Sequence, residues 1–199
     1  MTDSLTVTRV GGMTGEILFI IGSTRPVRVG DQLADEIIRL VEGEGGPGIV
    51  VADLKEINLP LLDEPKMPAL GQYTHDHTIK WSEMVVGASA VVVLTPEYNW
   101  GYPASVKNAI DYLYKEWADK PCLVISYGGG GGKHSYDQLR HVLGRVKTRL
   151  VDAPVNLVLK GEYGDDDRLR DPASVIAAHK ADIVTAWEQL RSLIDAADD

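Results

Sequence analysis

Glu16-Ile17-Leu18-Phe19-Ile20-Ile21-Gly22-Ser23-Thr24-Arg25-Pro26-Val27-Arg28-Val29-Gly30 is the stretch that decides the fold. Its first part, 16–21, is a short run of mostly branched residues with no polar alternation, and it reads as a strand buried on both faces. The run stops at Gly22, passes through serine, threonine and arginine, and leads into Leu33, Ile37, Leu40 and Val41 at helical spacing. A buried strand, a polar turn and an amphipathic helix form the opening of a parallel α/β sheet.

The same alternation runs on through the chain. Residues 48–53 read as a second strand. Pro60, Pro65 and Pro68 oppose regular structure across 54–73. Trp81, Met84, Val85 and Ala88 mark a helix face, and 89–94 is a third strand ending at Thr95-Pro96. Pro103 suits the first turn of a helix whose stripe is Val106, Ala109, Ile110 and Leu113. Residues 122–127 are a fourth strand, followed by five glycines. Leu139, Val142, Leu143, Val146 and Leu150 predict another helix, and 155–159 a fifth strand. One last helix carries Ile176, Ile183, Trp187, Leu190 and Ile194. Five continuous apolar strands separated by helices predict a parallel sheet covered on both faces, with strand order 2-1-3-4-5. Residues 1–15 read as an N-terminal tail, 16–199 as one domain, and 161–171 as a surface loop.

Composition narrows the function. The chain has 199 residues, a net charge of −9 and a single cysteine, Cys122. The acidic balance argues against nucleic acid as a general partner. One cysteine excludes an internal disulfide or a cysteine metal cluster, and Asp165-Asp166-Asp167 reads as a solvated loop, so no metal site is expected. No run is long enough to span a bilayer, and the first residues lack a secretory apolar core, so a cytoplasmic address is expected.

In such a sheet, ligands bind beyond the carboxyl ends of the strands at the switch in strand order. That selects three loops. In 22–30, Ser23 and Thr24 offer hydroxyls, Arg25 and Arg28 offer guanidinium forks, and the amides near Val29 and Gly30 belong to a positive helix end. This is either a monophosphate cradle or an ordinary polar turn with a helix cap. The second loop, Pro96-Glu97-Tyr98-Asn99-Trp100-Gly101-Tyr102-Pro103, concentrates aromatics beside residues that tolerate positive φ. In the third, Ser126-Tyr127-Gly128-Gly129 lets a flat ligand reach the backbone, while glycines 130–132 read as a flexible connector. A Walker loop fails at both ends around Lys133, and no G-x-G-x-x-G follows the first strand. A flat heteroaromatic with one phosphate, such as FMN, suits the three loops together. Trp100, Tyr102, Tyr112, Tyr114 and Trp117 exceed what one core stripe needs and suggest an interface.

Gly22-Ser23-Thr24-Arg25-Pro26, Pro96-Glu97-Tyr98-Asn99 with Pro103, Lys107-Asn108-Ala109-Ile110-Asp111, and Ser126-Tyr127-Gly128-Gly129 resemble the NADPH-dependent FMN reductase family of the flavodoxin-like fold. The resemblance implies a three-layer flavodoxin-like domain with one FMN per subunit. It also implies hydride transfer from NADPH or NADH to a small acceptor: a quinone, an azo compound, a metal oxyanion or free flavin. Ser23 and Arg25 would then hold the phosphate, with amides near Val29 and Gly30. Many members carry Ser or Asn there, and Arg28 is the residue available to substitute. Pro96, Glu97, Tyr98, Asn99 and Trp100 would line the ring on one side, and Ser126, Tyr127, Gly128 and Gly129 on the other. No side chain need be catalytic, since the flavin carries the chemistry. Members are usually homodimers or homotetramers. A passive electron carrier or regulatory flavin-binding protein on the same fold is the competing reading.

Overall fold

A computed structural model describes residues 15–198; the expected tail therefore lies outside the described residues apart from Gly15. In chain order the elements are β1 (Ile17–Ile21), α1 (Gly30–Gly43), β2 (Ile49–Asp53), α2 (Leu54–Ile57), α3 (Asp76–Gly87), β3 (Ala90–Pro96) and α4 (Ala104–Asp111). There follow β4 (Pro121–Gly128), α5 (Lys133–Arg145), β5 (Arg149–Leu150), β6 (Val155–Val158), α6 (Pro172–Ala178) and α7 (Lys180–Asp198). Short 3-10 turns sit at Pro68–Leu70 and Lys115–Trp117.

All pairings within the sheet are parallel. β1 lies between β2 and β3, and β4 pairs β3, giving the order β2-β1-β3-β4 with β5 and β6 outside β4. The sheet thus has six strands, because its outer position is shared. β5 pairs Pro121 and Cys122, while β6 pairs Ile125 to Gly128. Between them Pro154 can donate no ladder hydrogen bond, and the edge is interrupted there.

Alternate residues of each strand feed two cores, as a period of two requires. Ile17, Phe19 and Ile21 of β1 face α1, α6 and α7, while Leu18 and Ile20 face α3, α4 and α5. The result is the expected α/β three-layer architecture. Trp81 and Trp117 are buried in the second core, and their indole N–H groups donate to the carbonyls of Ala109 (2.8 Å) and Ile110 (3.1 Å) at the end of α4. Burial of such side chains is worth about 1.5–3 kcal/mol each when the polar atom is satisfied.

Three expectations are corrected here. Leu150 is in β5, not the preceding helix. α5 stops at Arg145, and Lys147 turns the chain at φ 66° without a glycine to signal it. The last helix is two, broken at His179, whose ring bonds the Val175 carbonyl. Tyr112 and Trp117 are core residues at 0% and 1% exposure, which removes them from the aromatic surface patch.

Candidate cofactor-binding site

The 22–30 loop leaves β1 and turns into α1. Gly22 is required by contact: a Cβ there would lie 2.5 Å from Val106 Cγ2. The Ser105 hydroxyl donates to the Gly22 carbonyl at 2.6 Å, so α4 holds the turn. Ser23 is buried, and its hydroxyl lies 2.7 Å from that of Tyr98. This joins the first loop to the second. Thr24 and Arg25 are exposed, and among the described residues no group accepts from their amides or from the Arg25 guanidinium. Val29 precedes α1 without a side-chain cap, so the first-turn amides remain open to a ligand.

Arg28 stands apart from that set. It is buried at 8% exposure, donates to the Ser23 carbonyl at 2.7 Å, and makes a two-point ion pair with Asp53 at the end of β2. Its fork is already engaged. Gly30 packs so closely that a Cβ there would lie 2.7 Å from the Tyr127 hydroxyl. Burial pushes that hydroxyl's pKa up, and nearby Tyr98 adds to it.

The second loop is a two-residue turn. Tyr98 and Gly101 exchange both backbone hydrogen bonds, at 2.8 and 3.0 Å, with Asn99 and Trp100 at φ 50° and 67°. Asparagine tolerates this region and tryptophan does not, so Trp100 is held by its surroundings. Its ring stacks on His134, with centroids 4.2 Å apart, and its carbonyl accepts from Gln138 at 2.7 Å. The Glu97 amide bonds the Tyr127 carbonyl, and the Glu97 carboxylate accepts from the amides of His134 (2.9 Å) and Ser135 (3.3 Å). Glu97 therefore caps α5 from a distant loop. The Pro96 carbonyl accepts from the Ser135 hydroxyl at 2.9 Å.

In the third loop the Ser126 hydroxyl is fully engaged. It donates to the Gly131 carbonyl at 2.8 Å and accepts from Asn156 at 2.7 Å. Gly128 and Gly129 present backbone only. Glycines 131 and 132 are buried at φ 85° and 73°, and a Cβ on Gly132 would meet the Tyr127 backbone at 2.9 Å. The expected flexible connector is instead a tight turn that requires glycine at 131 and 132, while Gly130 is exposed with open space around it.

Sequence reasoning missed a fourth segment. The loop 161–171 folds back on the first: Arg168 donates to the Arg28 carbonyl (3.0 Å) and to Asp31 (3.1 Å), and Gln32 exchanges two bonds with the Leu169 backbone. Burial raises the pKa of the Tyr163 hydroxyl in this segment, and the Arg25 guanidinium works against that rise. Asp53 was missed too, although its place at the carboxyl end of β2 was legible.

A parallel sheet of this order, with its polar loops gathered beyond the strand ends, defines the flavodoxin-like class. A flavoenzyme NAD(P)H:(acceptor) oxidoreductase from Paracoccus denitrificans has the same fold, with a TM-score of 0.70 at 21% identity over 90% of this chain and 98% of that one. The family model described as NADPH-dependent FMN reductase matches residues 16–161, and the chain belongs to that family. An NAD(P)H-dependent FMN reductase of Schizosaccharomyces pombe is 36% identical over 186 residues, 92% of each chain. One of Saccharomyces cerevisiae is 42% identical over 143 residues, 66% of this chain and 75% of its own. The protein is accordingly an oxidoreductase of the FMN- and NAD(P)H-using kind.

Proposed function

We propose that each subunit holds one FMN across the three loops and uses NADPH or NADH to reduce a small acceptor of the quinone, azo, metal-oxyanion or free-flavin type. The observation that carries this is the state of the first loop. Among the described residues the exposed Arg25 fork, the Thr24 and Arg25 amides and the uncapped start of α1 all lack protein partners. Backbone donors and an arginine at a helix start fit a phosphate monoester. The residues therefore fit FMN. Ser23, Thr24 and Arg25 would take its phosphate, with amides near Val29 and Gly30. The backbone of Pro96, Glu97, Tyr98, Asn99 and Trp100 would face one side of the ring, and that of Ser126, Tyr127, Gly128 and Gly129 the other. When bound, FMN supplies the hydride chemistry. The protein's part is orientation and electrostatics: the amides of Asn99 and Trp100 have no protein acceptor among the described residues and can face a developing negative charge.

Assembly into a homodimer or homotetramer belongs to the same reading. It is supported by exposed Trp100 and Tyr114 and by Leu61 and Met67 on the loop before α3. A cytoplasmic address is proposed with it; among the described residues no helix is long and apolar enough to cross a membrane. The test is the visible spectrum of the FMN-reconstituted protein before and after anaerobic NADPH. Bleaching of the flavin bands without a partner reductase is expected. Protein that binds FMN yet stays oxidised is the passive carrier instead, and protein that takes up no flavin removes the reading altogether.

A further inference from the structure

Arg28 belongs to the loop expected to hold a phosphate, yet its guanidinium points the other way. Both arms of its fork meet Asp53, one Nη also donates to the Ser23 carbonyl at 2.7 Å, and the side chain is 8% exposed against 17% for Asp53. Asp53 is itself fixed, because its Oδ1 also accepts from the Lys55 amide at 2.9 Å at the start of α2. On the opposite side, Arg168 donates to the Arg28 carbonyl at 3.0 Å.

The consequence lies one peptide bond further on. In a trans peptide the carbonyl of one residue and the N–H of the next point in opposite directions. Arg28 draws the Ser23 carbonyl inward, so the Thr24 N–H is turned outward, to the face where Thr24 and Arg25 are exposed. We propose that Arg28 and Asp53 are a positioning pair: Asp53 holds Arg28 off the phosphate, and Arg28 holds the Ser23–Thr24 peptide so that its amide faces the phosphate. Phosphate recognition then rests on Arg25 and backbone donors, and the end of β2 sets their direction. This rests on the FMN reading above.

Replacing Asp53 separates a positioning role from a direct one. If Arg28 were a phosphate ligand, Asp53→Asn would free its charge and tighten FMN. As a positioning pair, Asp53→Asn and Arg28→Met should both weaken FMN, Arg28→Met by about ten-fold, the scale of a lost charge-assisted contact. The double variant should be no worse than the poorer single variant, because the two residues act as one unit. Riboflavin, which lacks the phosphate, should bind all variants alike. The measurement is quenching of flavin fluorescence on titration with full-length apoprotein, well below each variant's melting temperature. Arg28→Lys, which keeps the charge and loses the fork, should share the FMN loss and stands in if Arg28→Met does not fold. Tighter or unchanged FMN in Asp53→Asn overturns the proposal, as does an equal loss of FMN and riboflavin. Parent protein that does not distinguish FMN from riboflavin fails at an earlier step, the phosphate cradle itself, and that failure is visible before any variant is compared.

Discussion

Arg25 and Arg28 are three residues apart and chemically identical, and their surroundings give them different work. Arg28 is buried and fully paired; Arg25 is exposed and makes no hydrogen bond or ion pair among the described residues. Removing Arg25 should therefore leave the fold alone and act on the ligand. Arg25→Ala is expected to weaken FMN by about ten- to a hundred-fold, which is about 1.5–3 kcal/mol for a charge-assisted contact to phosphate. Riboflavin affinity and circular dichroism should not change. Fluorescence titration with both flavins checks this, and unchanged FMN affinity in a folded variant would move the phosphate elsewhere. Glu97 is a contrasting case, an acidic residue beside the ring loop whose carboxylate is occupied by the amides of His134 and Ser135. Its replacement by alanine should behave as loss of a helix cap, about 0.5–2 kcal/mol less stable to urea. Any loss of activity should be recovered at high FMN, because no proton passes through it.

At the scale of elements, the loop between β2 and α3 is pinned by two carboxylates. Asp63 accepts from the Tyr112 hydroxyl and lies 3.0 Å from His77. Glu64 accepts from the Thr74 amide and hydroxyl and the His75 amide. Slight burial works to raise the Glu64 carboxyl, but the nearby Thr78 hydroxyl together with the His75 and Thr74 donors outweighs it and holds it down to about 2 against an ordinary 4.5. A depressed carboxyl stabilises fully above its unfolded value and loses that contribution as pH falls through its folded one. Glu64→Gln should thus be less stable than the parent at pH 7, with the difference closing between pH 4.5 and pH 2. The effect should be modest, since the group is partly exposed to solvent. Denaturant melts at both ends of that range check it, and a difference constant down to pH 2 would assign the effect to packing. This loop also shows what the sequence could tell. Its prolines announced irregular structure, and the apolar runs announced β1, β2, β3 and β4 almost to the residue: burial along β1, β3 and β4 leaves no polar alternation, and β2, with alternate residues half-buried, stays apolar up to Asp53. The breaks at Lys147 and His179 carry no glycine or proline, so periodicity ran through them. The first two ligand loops were legible from their polar and aromatic content. Their wiring was not: Asp53 to Arg28, Arg168 to the Arg28 carbonyl and Glu97 to α5 join residues far apart in sequence, and only the completed fold brings them together.

For the whole molecule, the decisive fact is that the candidate site has no single owner. The loops after β1, β3 and β4 and the segment 161–171 meet there, and they hang from helices packed on both faces of the sheet. A ligand that bridges them exists only on the folded chain, so its binding energy adds to global stability by mass action. FMN at about a hundred times its dissociation constant should contribute about 2.7 kcal/mol. For a chain of this length about 2–4 °C of melting temperature accompanies each kcal/mol, so a rise of about 5–11 °C is expected. The pattern across ligands carries the argument further than the size of the shift. At equal concentration FMN should raise the melting temperature more than riboflavin, which lacks the phosphate. It should also exceed FAD, whose second phosphate finds no second cradle among the described residues. Arg25→Ala should lose most of the FMN increment while its ligand-free melting temperature stays that of the parent. Thermal melts of apoprotein with each flavin measure all of this. Equal shifts from FMN, riboflavin and FAD would mean that the ring alone is recognised, and the first loop would then be only a turn into α1.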